Sequence, residues 1–334
     1  MRLFHKINSN HPIPLNVSLG SIKLKSPIVL ASGTSGHSDE LSAYGDLSKI
    51  GAITVKSLCL DKWEGNPLPR IKSIKSGVIN SVGLQGRGIK HFIDNDYLDL
   101  EKTKSKVILS IWGRTVEEFG QISKIVQLAS ESKKLESVIG VELNISCPNV
   151  EDQNKLFGQS TEFTFEIVNI CKSSLEIPIF TKLTPVVSDP VAIARAATDA
   201  GSDILTLTNT MFGIDVDTKT MKFSLGNIVG GISGSPLKPV SQSVVAKIRE
   251  TMPEVPIVGV GGIFNLDDLL EYLFLGANAV GIGTATFFNP RTAWNIQRDL
   301  CNYILKNELD SFEGLWNKLQ KLRIENLSEH KEII

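Results

Sequence analysis

The run Asn144-Ile145-Ser146-Cys147-Pro148-Asn149 follows directly on the apolar stretch that begins at Val138 and ends at Ile145. It sets a thiol where a strand stops, with two carboxamides and a hydroxyl within a few residues. Pro148 steers Cys147 away from helical backbone, so a loop starts here. A thiol among amides and a hydroxyl fills a core poorly, but it suits a site that holds a small polar ring beside an acid or base. The alternative is a buried structural cysteine, since free cysteine is among the most buried residue types.

Other chemistry-bearing residues also stand where short apolar runs end: Ser32-Gly33-Thr34, Lys56, Ser110, Lys182, Asn209-Thr210, Gly261-Gly262 and Gly283-Thr284. Lysines at strand ends are costly unless each meets negative charge or polar ring atoms. A buried ion pair with Asp or Glu would satisfy them, but few acidic residues stand at these ends, so a ligand anion is the expected partner. A reduced flavin, negative near one ring edge, is such an anion. Lys182 could instead form a Schiff base, as in aldolase barrels, which leaves the Asn/Ser/Cys cluster without a task. Asn80, Asn144, Asn149 and Asn209 supply amides and Thr210 a hydroxyl. A planar ring with alternating N–H and C=O groups and a carboxylate would satisfy that array, and apolar analogues would leave it unpaired.

The elements that position these residues alternate almost from end to end. Strands are expected at Ile28–Ser32, Ala52–Lys56, Val107–Ile111, Val138–Ile145, Ile179–Leu183, Ile204–Thr208, Ile257–Val260 and Ala279–Ile282. Most are continuous Val/Ile/Leu runs, the pattern of parallel strands buried on both faces. Helical patterns between them include Val116–Ser130, Glu162–Ser173, Pro190–Ala200, Val240–Thr251 and Leu266–Leu275. Asp189-Pro190 and Asn265 offer N-caps, and Gly201 and Gly276 stand where helix ends need a left-handed residue. This alternation gives the fold class α/β, as a (β/α)8 TIM barrel. An open doubly wound sheet is the runner-up, and the absence of Gly-x-Gly-x-x-Gly after the first strand counts against it. Residues 14–26 read as an N-terminal hairpin covering the barrel bottom, and 58–106 as a long insertion over its C-terminal face. Residues 303–334 read as a terminal helix and tail, so that 1–334 forms one domain.

In such a barrel the chemistry belongs at the C-terminal strand ends, with phosphate at strands seven and eight. Gly261-Gly262 and Gly283-Thr284 fall there, and Gly230-Gly-Ile-Ser-Gly234 adds a third glycine-rich loop on that side. Backbone N–H groups bared by glycine bind phosphate well, so a phosphorylated ligand is expected across the mouth. The composition agrees with an ordinary soluble enzyme. The 334 residues are 42% hydrophobic and 21% charged, with net charge −1. That balance argues against nucleic-acid and polybasic membrane surfaces. No apolar run is long enough to span a bilayer, and Met1–Lys6 lacks a signal-peptide pattern. Cys59, Cys147, Cys171 and Cys301 lie far apart, which argues against disulfides, a metal site or an iron–sulfur cluster, and a cytoplasmic location is expected.

Taken together, these motifs resemble the class 1 dihydroorotate dehydrogenases, FMN enzymes of pyrimidine biosynthesis, from roughly Leu15 to Asn302. Glu142-Leu-Asn-Ile-Ser-Cys-Pro-Asn-Val150 is the most specific piece. Ala31-Ser-Gly-Thr34, Glu64-Gly-Asn-Pro67, Pro69-Arg70, Asn80-Ser-Val-Gly-Leu-Gln85, Lys182-Leu183, Asn209-Thr210 with Gly213, Gly230–Gly234, Gly261–Ile263 and Gly283–Ala285 add to it. The resemblance implies that Cys147 takes a proton from C5 of dihydroorotate while hydride passes from C6 to the flavin. It implies that Lys56, Asn80, Ser81, Val82, Gly83, Leu84, Asn144, Asn149, Asn209 and Thr210 hold orotate. It further implies that Ser32, Lys56, Ser57, Ser110, Asn144, Lys182, Thr208, Gly234, Gly261, Gly262, Gly283 and Thr284 hold FMN. Within class 1 the chain is most similar to the NAD-linked form. The resemblance implies a homodimer or, for the NAD-linked form, a heterotetramer with a subunit carrying FAD and a 2Fe–2S cluster.

The chain departs from the family pattern at Gly86-Arg87, where Asn-Pro is usual, and at Ser57, which replaces a Gly. Ser110 replaces an Asn, and 151–156 lacks a Gly-Gly. A related FMN-dependent pyrimidine reductase would need a changed carboxylate site, yet Lys56 and Asn80 are kept. An inactive barrel scaffold would not need Cys147 and Lys182.

Overall fold

Strands that are apolar on both faces need cover on both faces, and here they close on themselves. The computed structural model describes residues 13–146 and 156–329. Eight parallel strands form a closed barrel in chain order. They are β1 (Ile28–Leu30), β2 (Ala52–Thr54), β3 (Val107–Ile111), β4 (Val138–Asn144), β5 (Ile179–Leu183), β6 (Ile204–Leu207), β7 (Ile257–Val260) and β8 (Ala279–Ile282). The ring closes where Val280 of β8 stands level with Ile28 of β1. Ser32, Lys56 and Thr208 lie just past the strand ends rather than inside the strands, because the ladders stop at Leu30, Thr54 and Leu207.

Crossover helices pack around the barrel: α1 (Tyr97–Lys102), α2 (Val116–Glu131), α3 (Thr161–Lys172), α4 (Pro190–Asp199), α5 (Lys238–Thr251), α6 (Leu266–Phe274) and α7 (Thr292–Lys306). Their starts follow local chemistry. Thr115, Ser160, Asp189 and Asn265 each accept a hydrogen bond from a backbone N–H of the first turn, the N-cap role that satisfies otherwise orphaned donors. A last helix, α8 (Phe312–Glu329), packs on α6, with the Trp316 indole donating to the Ala277 carbonyl and Gln320 to that of Leu273.

The N-terminal hairpin pairs Val17–Leu19 with Ile22–Leu24. Its Leu19, Ile22 and Leu24 join Val29, Ile108, Phe180 and Val258 in one buried cluster inside the barrel, so the hairpin plugs the bottom. The top is built from two separate parts of the chain. Ile71–Ile74 and Gly77–Asn80 form one antiparallel pair. Met211–Ile214 and Val229–Gly234 form another, and the four strands join through Asn80 beside Gly231.

Gly230–Gly234 is therefore a strand and not the loop its composition suggests. Its glycines serve close approach: a Cβ on Gly231 would stand 2.3 Å from the Thr210 hydroxyl. Within 58–106, only the part up to residue 88 lies outside the crossover pattern. Ile89–Asp96 and α1 are helical and bury Ile89, Phe92, Tyr97 and Leu100 in the main core.

Candidate active site

The strand-end hydroxyls and amides meet at the mouth in one hydrogen-bonded chain. Ser57 is its hub: its hydroxyl lies 2.9 Å from the Ser110 hydroxyl and 3.4 Å from that of Ser32. Asn144 Nδ2 donates to Ser57 Oγ at 3.1 Å, and Asn144 Oδ1 accepts from Asn209 Nδ2 at 3.1 Å. The Asn209 side-chain oxygen in turn accepts from the Thr210 backbone N–H at 2.8 Å. These partners fix which way each amide points, because a flipped carboxamide would set donor against donor. Ser57 and Ser110 are buried, so the chain lies beneath the mouth surface.

Two lysines stand beside this chain in different surroundings. Lys56 Nζ donates to the Gln85 carbonyl at 2.7 Å. Burial, and then the Arg70 guanidinium, hold its pKa below the ordinary lysine value. An anion there would relieve both effects. Arg70 itself is tied down through the Asn66 carbonyl, the Gln85 side-chain oxygen and the Glu64 carbonyl.

Lys182, expected from sequence to lean on a ligand anion, has a protein countercharge: its Nζ lies 3.9 Å from Glu142 Oε1. Glu142 is hidden within the β4 run rather than at its end, which is why a search of strand ends passes over it. The protein itself thus supplies Lys182 with a charge partner.

The segment 80–84 arches over the mouth. Asn80 Nδ2 donates to the Gly231 carbonyl at 3.3 Å. Ser81 accepts from both Asn66 and Asn227, so its hydroxyl oxygen knits the loops together. The Val82 and Gly83 carbonyls are taken by the Asn66 N–H and the Trp63 indole. Leu84 sits at φ +60°, which costs a non-glycine residue about 1–3 kcal/mol and is typical of ligand-binding turns.

On the opposite side the glycine segments converge. A Cβ on Gly262 would stand 2.8 Å from the Gly234 carbonyl and 2.7 Å from Lys238 Cβ, and one on Gly234 would stand 3.7 Å from Thr284. Gly262 adopts φ +67°, a conformation that glycine reaches without strain. Gly261 packs on Ser241 and Tyr272, and its carbonyl accepts from the Tyr272 hydroxyl at 2.7 Å. A Cβ on Gly283 would meet only Ala31, at 3.7 Å, which leaves open space beside it. Thr208 is brought close by sequence but not by side chain. Its hydroxyl bonds Ser241 on α5 at 2.6 Å and is buried behind the site.

Cys147 and Asn149 lie outside the described residues. The described cysteines behave as core residues: burial raises the pKa of Cys59 and Cys301, and pushes Cys171 up to about 12. Besides Glu142, reasoning on strand ends missed Asn66, Gln85 and Ser241, whose contacts only tertiary pairing reveals.

Fold and site together define a (β/α)8-barrel enzyme whose mouth joins hydroxyl and amide side chains with glycine-rich strand ends. The dihydroorotate dehydrogenase family model matches residues 14–304, and the chain belongs to that family. Three relatives carry the name dihydroorotate dehydrogenase B (NAD(+)), catalytic subunit. That of Geotalea daltonii is 40% identical over 306 residues, covering 92% of this chain and 98% of its own length. That of Desulforamulus reducens is 38% identical over 301 residues, covering 90% and 97%. That of Bacteroides thetaiotaomicron is 33% identical over 306 residues, covering 92% and 99%.

Proposed function

We propose that the chain is the FMN-bearing catalytic subunit of an NAD-linked dihydroorotate dehydrogenase. The observation that carries this reading is the continuous chain Ser110–Ser57–Asn144–Asn209–Thr210, with Lys182 level with Asn144 on the next strand and the Gly234/Gly262/Thr284 cradle at the same end of the barrel. A flavin mononucleotide suits such a division, with its phosphate on the backbone amides and its ring beside a buried ammonium. When bound, FMN supplies the hydride acceptor.

Ser32, Ser57, Ser110, Gly234, Gly261, Gly262, Gly283 and Thr284 would hold the cofactor, with Thr208 supporting them from behind through Ser241. Asn80, Asn144, Asn149, Asn209, Thr210 and the backbone of Val82–Leu84 would hold the pyrimidine ring, and Ser81 would fix the loop that carries them. Lys56 offers its ammonium to the substrate carboxylate. In the reaction Cys147, as a thiolate, would take the C5 proton, and the cofactor held by the residues above would supply the acceptor for the C6 hydride, leaving the C5=C6 double bond of orotate. A thiol of ordinary pKa ~8.5 is a workable base when nearby cations favour its thiolate.

The relatives' name, catalytic subunit, supports a separate subunit that passes electrons to NAD, consistent with FAD and a 2Fe–2S cluster held elsewhere. Exposed Phe212, Ile214 and Val229 on the top sheet, and Phe223 on the two-stranded pair that follows Met211–Ile214 in the chain, favour a protein neighbour, either a second copy or that subunit. Among the described residues no helix is long and apolar enough to cross a membrane, which fits the proposed cytoplasmic location.

The test is anaerobic mixing of the FMN-loaded chain with dihydroorotate. The flavin band should bleach rapidly, and at least a hundredfold more slowly in Cys147→Ala. A chain that takes up no FMN, or whose flavin ignores dihydroorotate, overturns the reading. NAD reduction with the electron-transfer subunit, rather than fumarate reduction by the chain alone, should mark the subclass.

A further inference from the structure

Glu142 is an expensive residue with no assigned task. It lies mid-strand in β4, 3% exposed, and its side chain faces a narrow cavity inside the barrel bounded by Ile108, Phe180 and Val258. The only ionisable residues lining that cavity are Glu142 and Lys182. Their charged atoms are 3.9 Å apart, an attraction without a hydrogen bond, and Glu142 Oε1 has no hydrogen-bond partner. Burying such a loose pair is a poor source of stability, since apolar residues of the same volume usually serve as well or better.

The register explains what the pair does. Asn144 stands level with Lys182, while Glu142 stands level with Phe180, one layer deeper. The dipole of the pair therefore runs along the barrel, with its negative end in the core and its positive end toward the mouth.

We infer that Glu142 is a positioning residue whose buried carboxylate holds Lys182 in place and offsets part of its charge, and so sets how strongly the mouth favours negative charge on a bound flavin ring. This rests on the flavin reading above. With Glu142 present, part of the ammonium's field is cancelled from below. Without it the full positive charge acts on the ligand, and the anionic reduced ring gains more than the neutral oxidised one.

The experiment is a reductive titration of the FMN-loaded chain against a reference dye, for wild type, Glu142→Gln and Glu142→Asp. Glu142→Gln should tighten binding of reduced relative to oxidised FMN by about tenfold, an upward shift in potential of about 30 mV for a two-electron couple. Glu142→Asp keeps the charge but moves it away, and should shift the potential the same way by less. It also serves if the Gln variant does not fold. Potentials that stay at the wild-type value in the folded variants overturn the proposal, as does a downward shift.

If the wild-type chain binds no FMN, the flavin reading fails, and urea unfolding of the chain alone still tests the pair. Glu142→Gln leaves the buried Lys182 ammonium without its partner, so it should lose stability, and Glu142→Gln combined with Lys182→Met should recover part of that loss. A loss that the double variant does not recover shows the carboxylate to be filler.

Discussion

Replacing Ser57 with alanine removes one oxygen from the centre of the mouth, and its effect follows from the contacts that oxygen makes. The hydroxyl bonds Ser110 at 2.9 Å and accepts from Asn144 at 3.1 Å, while its 3.4 Å contact to Ser32 is too long to count for much. Ser110 is fully buried, so it loses a partner that water cannot replace. An unpaired buried group costs about 1–3 kcal/mol, and Asn144 keeps its bond to Asn209. Unfolding in urea should therefore register a loss of about 1–3 kcal/mol.

The activity loss arises differently. With its bond to Ser57 lost, the Asn144 amide is held less firmly, and about 1.4–2.8 kcal/mol of transition-state positioning corresponds to a ten- to hundredfold fall in kcat/KM. Ser110→Ala removes only the 2.9 Å contact and leaves Ser57 still able to accept from Asn144, so it should cost kcat/KM less than Ser57→Ala does. Steady-state kinetics with dihydroorotate on both variants decide the matter. A Ser57→Ala enzyme within twofold of wild type, or a Ser110→Ala enzyme more damaged than it, would refute the hub.

Two further outcomes follow from other parts of the site. Gly262→Ala forces φ +67° on a residue with a Cβ and drives that Cβ to 2.7 Å from Lys238. The left-handed conformation alone costs about 1–2 kcal/mol, so FMN affinity measured by flavin fluorescence should fall at least tenfold, and unchanged affinity would remove Gly262 from the cradle. His37 has its pKa lowered from 6.5, first by burial and then by the nearby Lys56 ammonium. The unfolded chain therefore gains a proton there before the folded one does. Stability should fall as pH drops through 6.5 and level off below the folded pKa, and His37→Gln should flatten that segment of the stability–pH curve measured in urea.

The barrel was legible because each strand is a short apolar run in which both faces are buried, and because the caps at Asp189 and Asn265 lie in the local sequence. β3, β5, β7 and β8 fall where the runs place them. What local pattern concealed was long-range. Val229–Gly234 carries glycines that a strand disfavours, and it becomes a strand only because Gly77–Asn80 and Met211–Ile214 flank it and leave no room for side chains. Likewise, the Lys182–Glu142 pair depends on the alignment of β4 with β5, which sequence spacing does not reveal. Thr208 illustrates the converse: the family resemblance implied a place on the cofactor, but its hydroxyl turns away to Ser241.

The mouth is thus divided by strand. β1 to β4 lead into the hydroxyl and amide groups of Ser32, Ser57, Ser110 and Asn144, whereas β7 and β8 lead into Gly261-Gly262 and Gly283-Thr284. Under the proposed function the first half would discriminate by hydrogen-bond direction against a ligand that cannot answer it. The second half presents backbone, and so would read charge and shape rather than donor pattern. Asn209 crosses from β6 to join the first half, and Lys182 on β5 stands between the two. A lysine in that position acts on whatever spans the boundary, and its field is shaped from below by a carboxylate that neither half contacts through a hydrogen bond. The division explains how Ser57 and Ser110 can depart from the family pattern: each new hydroxyl finds its partner in the other, within the half that is organised by hydrogen bonds, and the glycine half is left as it was.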